Sequence, residues 1–297
     1  MEHALQLQST DRTEATDRAT RSSVNRRAVG QDFTAIAVGE TKENELADVV
    51  ASPERILSDP TAAVVKQGRS ALVKRVALAI GGVSMQAAYK RCGSRTQLRR
   101  LVRGIRTSAA LRNFRLGHRL LSLGIETPRP LLALSPRWHN LLSPSYLATE
   151  WIESAAPLDA FARTAKDWAP ARFRAALCDA ARQLGRLIGT LHQRGFSHRD
   201  LKSANLLVRV NDRRVEVFLV DLDGAARSRL GREATRLKNL ARLHEATRQI
   251  LGVTPALRCR FLQSYLATLG GRADWKTVWR QLQETPRIPP RPIGRAG

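Results

Sequence analysis

His198-Arg199-Asp200-Leu201-Lys202-Ser203-Ala204-Asn205 places an aspartate, a lysine and an asparagine in close succession. Val220-Asp221-Leu222-Asp223-Gly224 follows one expected hairpin later. Residues of these types in this order suit phosphoryl transfer from ATP. Asp200 would orient an attacking hydroxyl and take its proton, and Lys202 would reach the γ-phosphate. Asn205 and Asp221 would offer oxygen ligands to Mg2+. A His-Arg-Asp tripeptide alone recurs by chance; the specificity lies in the linked set, with Asp221 ending an apolar strand. A surface loop that merely uses Asp200 and Asn205 as caps or turn residues would not need that register.

The elements that must hold this set can be read around it. Phe173, Leu177, Ala180, Leu184, Leu187, Ile188 and Leu191 recur at spacings of three and four, the signature of one apolar helix face. That helix ends at Gly195, a suitable left-handed stop. Leu206 to Val210 and Val215 to Val220, joined through Asn211-Asp212, read as a hairpin running from Asn205 to Asp221. Upstream, Ala62 to Lys66, a turn at Gln67-Gly68 and Ala71 to Val76 read as a second hairpin. A basic helical stretch is expected from about Gln97 to Leu123, then strands at Leu131 to Leu134 and Tyr146 to Ile152. Arg232 to Leu251 and Pro255 to Leu269 are expected closing helices. The expected architecture is α+β and bilobal. Residues 1–47 form a disordered arm, and 48–152 an N-lobe of antiparallel sheet plus helix with the hinge. Residues 153–284 form a mainly helical C-lobe, and 285–297 a Pro/Arg-rich tail. Lys74, in Ala71-Leu72-Val73-Lys74, has the position and texture of the strand lysine that holds α- and β-phosphates. Lys66 is its nearest competitor, and a snorkelling lysine on a half-buried strand is the plain alternative. By position, the backbone of Glu150 and Ile152 in the hinge would meet the adenine.

Charge is the other strong signal. The net charge is +24, and no Asp or Glu occurs between Pro60 and Ile125, where fourteen Lys and Arg lie. Such a block attracts a polyanion: a phosphorylated glycolipid, an anionic membrane surface or nucleic acid. A compositional bias toward Arg, 42 against 8 Lys, explains Arg in place of Lys but not the missing acids. Cys92, Cys178 and Cys259, odd in number and far apart, fit neither a disulfide framework nor a zinc site. No signal peptide or membrane span is visible, so a cytoplasmic chain is expected.

Leu72-Val73-Lys74-Arg75, Arg112-Asn113-Phe114-Arg115 and Gly124-Ile125-Glu126-Thr127-Pro128-Arg129-Pro130 resemble the bacterial lipopolysaccharide kinase family, the heptose and Kdo kinases of the lipid A core. Gly195 to Lys202, Val220 to Asp223 and Arg260-Phe261-Leu262-Gln263-Ser264-Tyr265 share that texture, so the resemblance covers about residues 55 to 270. It implies a protein-kinase-like fold and ATP-dependent phosphorylation of a sugar hydroxyl, by a peripheral protein at the inner face of the inner membrane. Three departures stand out. Ser58-Asp59-Pro60-Thr61, ahead of the Lys74 strand, has no phosphate-loop glycine. The helix glutamate that would clamp Lys74 is absent: Asn113 sits near its place, and Glu126 is the nearest acid. Leu222 and Asp223 replace the usual Phe and Gly after Asp221.

Protein kinases carry a long segment after the metal-binding Asp, closed by an Ala-Pro-Glu run. Here a helix is expected within about ten residues and no such run occurs. A glycolipid acceptor is therefore favoured, with Arg99-Arg100-Leu101-Val102-Arg103 and Arg112-Asn113-Phe114-Arg115 facing an anionic surface. The alternatives are an atypical Ser/Thr protein kinase and a nucleotide-binding pseudokinase, the latter favoured by the missing glutamate. No specific nucleic-acid partner is expected, because stacking aromatics do not accompany the arginines.

Overall fold

A computed structural model of the chain describes residues 26–68, 71–93, 107–137, 143–211, 214–228, 232–248, 250, 252–270 and 274–284. The chain divides into two units, Met1–Ser122 with Pro128–Trp151, and Leu123–Thr127 with Ile152–Gly297.

In the first unit seven strands form one antiparallel sheet in the order β1-β2-β6-β7-β5-β4-β3. They are β1 Arg26–Val29, β2 Phe33–Ala37, β3 Ala63–Gly68, β4 Ala71–Ile80, β5 Val83–Cys92, β6 Pro130–Pro136 and β7 Ser145–Glu150. Alternation along each strand gives the sheet two apolar faces. On one, Phe33, Val76, Leu78, Tyr89, Leu134 and Tyr146 pack against α1 (Glu43–Ala51) and α2 (Pro53–Ser58) through Leu46, Val50 and Leu57. On the other, Ile36, Ala133 and Leu147 pack against α3 (Ala109–Ser122) through Ala110 and Phe114. Complete burial of a side chain such as Phe114 stabilises the fold by roughly 1.5–3 kcal/mol.

The segment ahead of β3 also supplies acids to the basic sheet. Glu45 of α1 accepts hydrogen bonds from Lys42 N, Gly81 N (3.0 Å) and Gly82 N (2.6 Å), which fixes the tight β4–β5 turn. Both glycines there have positive φ, +69° and +86°, a region costly for other residues. Glu54 of α2 accepts from Arg91 Nε at 2.7 Å and from the Tyr146 hydroxyl at 2.6 Å. Glu40 pairs with Arg129 at 2.7 Å.

The second unit is built on α5 (Pro170–Gln193), which starts with Pro at its first position and buries Leu177, Ala180, Leu184, Leu187, Ile188 and Leu191. It follows α4 (Leu158–Ala165), and β8 Ala155–Pro157 precedes both. Past α5, Gly195 turns the chain at φ +79°. Two small sheets follow, β11-β10-β8 and β12-β9, made from β9 Phe196–His198, β10 Leu206–Asn211, β11 Arg214–Leu219 and β12 Ala225–Arg227. The chain ends in α6 (Arg232–Thr247), α7 (Pro255–Leu269) and α8 (Trp275–Glu284). Against α7 the long helix α5 presents Gly185 and Gly189. A Cβ at Gly185 would lie 2.6 Å from Phe261 O, and one at Gly189 would lie 2.7 Å from Thr268 Cβ. The two helices therefore meet backbone to backbone.

Several expectations need correction. The arm expected over 1–47 is ordered from Arg26 onward, since β1, β2 and the start of α1 belong to the sheet and its cover; residues 1–25 lie outside the described residues. The N-lobe therefore begins well before residue 48. The strand β5 and the helices α1, α2 and α8 were not expected from sequence. The expected basic helix from Gln97 is seen from Ala109, residues 94–106 lying outside the described part, as does the tail 285–297. Cys92, Cys178 and Cys259 form no disulfide.

Candidate active site

The two motif segments are brought together by the pairing of β9 with β12, in which His198 faces Ala225. The loops leaving these strands, 199–205 and 220–224, therefore start side by side. Arg199 N donates to Gly224 O at 2.9 Å, and Arg199 Nη2 reaches Asp223 O at 3.4 Å. The His198 ring lies flat on Gly224, where a Cβ would sit 2.7 Å from His198 Cε1, so the fourth residue of Asp221-Leu222-Asp223-Gly224 must be glycine. From there His198 Nε2 donates to Asp221 O at 3.0 Å. Asp221 itself takes a left-handed conformation, φ 60° and ψ 60°, which a non-glycine residue adopts only when neighbours hold it. One such neighbour is the β10–β11 ladder: Val220 N donates to Asn205 O at 2.9 Å, setting Asn205 and Asp221 at the same end of that hairpin.

Asp200 is tied within its own loop. Its Oδ2 pairs with Lys202 Nζ at 2.8 Å, and Asn205 Nδ2 donates to Asp200 O at 2.8 Å and to Oδ2 at 3.4 Å. Partial burial pushes the Asp200 carboxyl up, but Lys202 and Asn205 outweigh it and hold the group below the usual carboxylate range. Asp200 is thus an ionised acceptor at neutral pH. Asn205 is 1% exposed, and with Nδ2 committed to Asp200 its amide has the oxygen to offer. Together with the Asp221 carboxylate this is a hard oxygen donor set that fits Mg2+ completed by phosphate oxygens. Among the described residues no cluster of three or more His, Cys, Asp or Glu offers a metal site built from protein alone.

The first unit corrects the expected phosphate lysine. Lys74 pairs across the ladder with Tyr89 and lies on the sheet face covered by α2, where its Nζ donates to Leu57 O at 2.8 Å. That lysine is a structural tether. Lys90 lies on the opposite face: it pairs with Val73 on β4 and with Leu147 on β7, and Leu147 packs on α3. Among the described residues it also sits on the strand that precedes that helix. The signal for it was Ala87-Ala88-Tyr89-Lys90, which has the small-apolar-lysine texture of a V-A-I-K strand. On α3, Asn113 is 1% exposed at the position where a glutamate was sought. Glu126, the other acid considered, belongs to the second unit, where its carbonyl accepts from Leu219 N at 2.9 Å. At the expected hinge, Glu150 N donates to Arg129 O at 2.8 Å and Trp151 N to Gln86 O at 3.1 Å; Ile152 O accepts from Ala155 N at 3.3 Å.

A sheet-and-helix unit followed by a mainly helical unit, with a His-Arg-Asp loop docked on a left-handed aspartate, defines the protein-kinase-like class. Within that class, residues 64–265 match the lipopolysaccharide kinase (Kdo/WaaP) family, and the chain belongs to it. Among curated proteins it is similar to a 3-deoxy-D-manno-octulosonic acid kinase of Xanthomonas campestris pv. campestris, 30% identical over 174 residues, 58% of this chain and 64% of the relative. A protein of the same description from Xylella fastidiosa is 31% identical over 152 residues, 50% of this chain and 53% of the relative. The chain thus spans less than two thirds of the length of either relative. Among solved structures, "WaaP in complex with acyl carrier protein" shares the fold, with a TM-score of 0.54 at 17% identity, covering 81% of this chain and 91% of that one.

Proposed function

We propose that this chain is an ATP-dependent kinase that transfers the γ-phosphate to a sugar hydroxyl of a lipopolysaccharide-core glycolipid. The observation that carries the reading is the Asp200 carboxylate, kept ionised by Lys202 and Asn205 beside an Asp221 loop anchored by His198. In this reading Asp200 orients the acceptor hydroxyl and takes its proton, and Lys202 moves between Asp200 and the γ-phosphate. Asn205 and Asp221 hold Mg2+, which when bound neutralises charge on the phosphate oxygens. Lys90, in place of Lys74, contacts the α- and β-phosphates. The adenine is read by the Glu150 carbonyl and the Ile152 N–H, because the N–H groups of Glu150 and Trp151 already have backbone acceptors.

The acceptor class rests on the segment after Asp221. It runs through a single 3-10 turn (Leu222–Gly224) straight into β12, and α6 begins at Arg232. That length leaves no room for the long peptide-docking segment of protein kinases. The names of the relatives, 3-deoxy-D-manno-octulosonic acid kinases, support the same reading. Arg112, Arg115 and Arg119 are exposed along one stripe of α3, which carries no acidic residue. Such a stripe suits an anionic glycolipid in a membrane surface. Among the described residues no helix is long and apolar enough to cross a membrane, so the proposed membrane association is peripheral.

The test is transfer of label from γ-labelled ATP with Mg2+ to core lipopolysaccharide or to generic protein acceptors, with Asp200→Ala as control. Label in the glycolipid that vanishes in the variant supports the proposal. Label in protein alone would make it an atypical protein kinase, and nucleotide binding without transfer to any acceptor would make it a pseudokinase.

A further inference from the structure

Arg129 lies between two prolines in the run Thr127-Pro128-Arg129-Pro130. Neither proline has a backbone N–H to give, so the hold on this stretch falls largely on carbonyls and side chains. The Arg129 carbonyl accepts from Glu150 N at 2.8 Å, which closes the β6–β7 ladder beyond its irregularity between Pro130 and Leu132. The Pro130 carbonyl takes a hydrogen bond from the His118 ring of α3. The Arg129 side chain reaches the other way, where Nη2 donates to Glu40 Oε1 at 2.7 Å, the two side chains being 22% and 35% exposed. Arg129 Nε is buried without an acceptor among the described residues, which leaves the hold on this guanidinium to Glu40. Glu40 is itself firmly seated. Val38 N donates to Leu131 O at 3.0 Å, carrying the β2–β6 pairing one step past Ala37. On the other side the Glu40 carbonyl abuts the β4–β5 turn, where a Cβ at Gly81 would lie 3.1 Å from it.

We propose that Glu40 is a positioning residue for the nucleotide: by holding Arg129 it fixes the backbone of Glu150, on which the base is read. The proposal rests on the reading of the Glu150 carbonyl as an acceptor for adenine. Glu40 touches neither base nor phosphate. It acts through one ion pair and one backbone hydrogen bond, from Glu40 to Arg129 to Glu150. Without the Glu40 charge a part-buried guanidinium is left uncompensated and must turn toward water. That turn displaces the Arg129 carbonyl, and the Glu150 peptide loses the acceptor that holds it. The family match covers residues 64–265, so this control on the nucleotide comes from a segment ahead of the matched stretch.

Calorimetric binding of ADP with Mg2+ to the full-length chain, and steady-state transfer to core lipopolysaccharide, test this. Glu40→Gln should raise the Kd for ADP and the KM for ATP about three- to tenfold, with kcat within about twofold of wild type. Glu40→Arg should bind more weakly still, and combining it with Arg129→Glu should regain most of the loss. Lys74→Met, which removes a different tether from the same unit, is the control for general loosening and should bind ADP as wild type does. Wild-type affinity in Glu40→Gln, or an equal loss in Lys74→Met, would overturn the proposal while leaving the kinase reading intact. Amide hydrogen exchange at Glu150 should also speed up in Glu40→Gln without nucleotide, and an unchanged rate counts against the proposal. Should the wild-type chain bind no adenine nucleotide, the kinase reading and the role given to Glu40 fail together.

Discussion

At the scale of single residues, two of the lysines of the first unit are proposed to divide chemistry from packing. Lys74 and Lys90 lie on neighbouring strands but on opposite faces, one tied to Leu57 O and the other on the α3 side. Lys90→Met should cut phosphoryl transfer by roughly 10²–10³-fold with the fold intact. Lys74→Met should leave turnover near wild type and lower unfolding free energy by about 1 kcal/mol. Steady-state kinetics and denaturant titration of the two variants check this directly. Asp200→Asn should reduce kcat by roughly 10²–10⁴-fold. In the wild type the acid limb of the kcat profile should lie below the usual carboxylate range, because Lys202 and Asn205 keep Asp200 ionised as the pH falls. The loop from His198 to Asn205 was legible in the sequence because its chemistry is contiguous. Lys90 was not, since the first half of its strand, Gly81 to Gln86, shows no strand-like alternation and hides the Ala87-Ala88-Tyr89 run that precedes it, whereas Lys74 follows Ala71-Leu72-Val73 after a clear turn signal.

Among the elements, the decisive one is the contact of α5 with α7. The apolar spacing from Phe173 to Leu191 revealed α5, but Gly185 and Gly189 within it read only as weak helix formers. Their purpose emerges from the approach of Phe261, Ser264 and Thr268. Gly189→Val should push α7 outward, destabilise the second unit by about 1–3 kcal/mol, and loosen the Tyr265–His192 hydrogen bond; chemical denaturation and hydrogen exchange at α7 measure both effects. The early strands were illegible for a different reason. β1 and β2 lie in a polar, Thr- and Arg-rich stretch, and their apolar residues, such as Phe33 and Ile36, find partners on β6 and α3 that are a hundred or so residues away. Local composition cannot report such distant pairing.

For the molecule as a whole, buried histidine makes stability depend on pH. Burial pushes His192 down to about 4, and His118, His198 and His244 are lowered as well. A histidine lowered on folding is neutral in the folded state while the unfolded chain already binds a proton near the ordinary value of 6.5. Stability is therefore full above that value and is lost as the pH drops toward 4. For His192 alone the loss is on the order of 3 kcal/mol, to be read from thermal or denaturant unfolding between pH 7 and 4. The N-terminal acids carry a further consequence, for where this protein can be cut. Family likeness starts at residue 64, yet Glu40, Glu45 and Glu54 neutralise or cap Arg129, the Gly81-Gly82 turn and Arg91, and Leu46, Val50 and Leu57 roof one face of the sheet. A fragment of residues 60–297 should expose that face with unmatched arginines and melt without cooperativity or precipitate, while 26–297 keeps a sharp transition by circular dichroism. That outcome would make the folding unit longer than the stretch matched to the family.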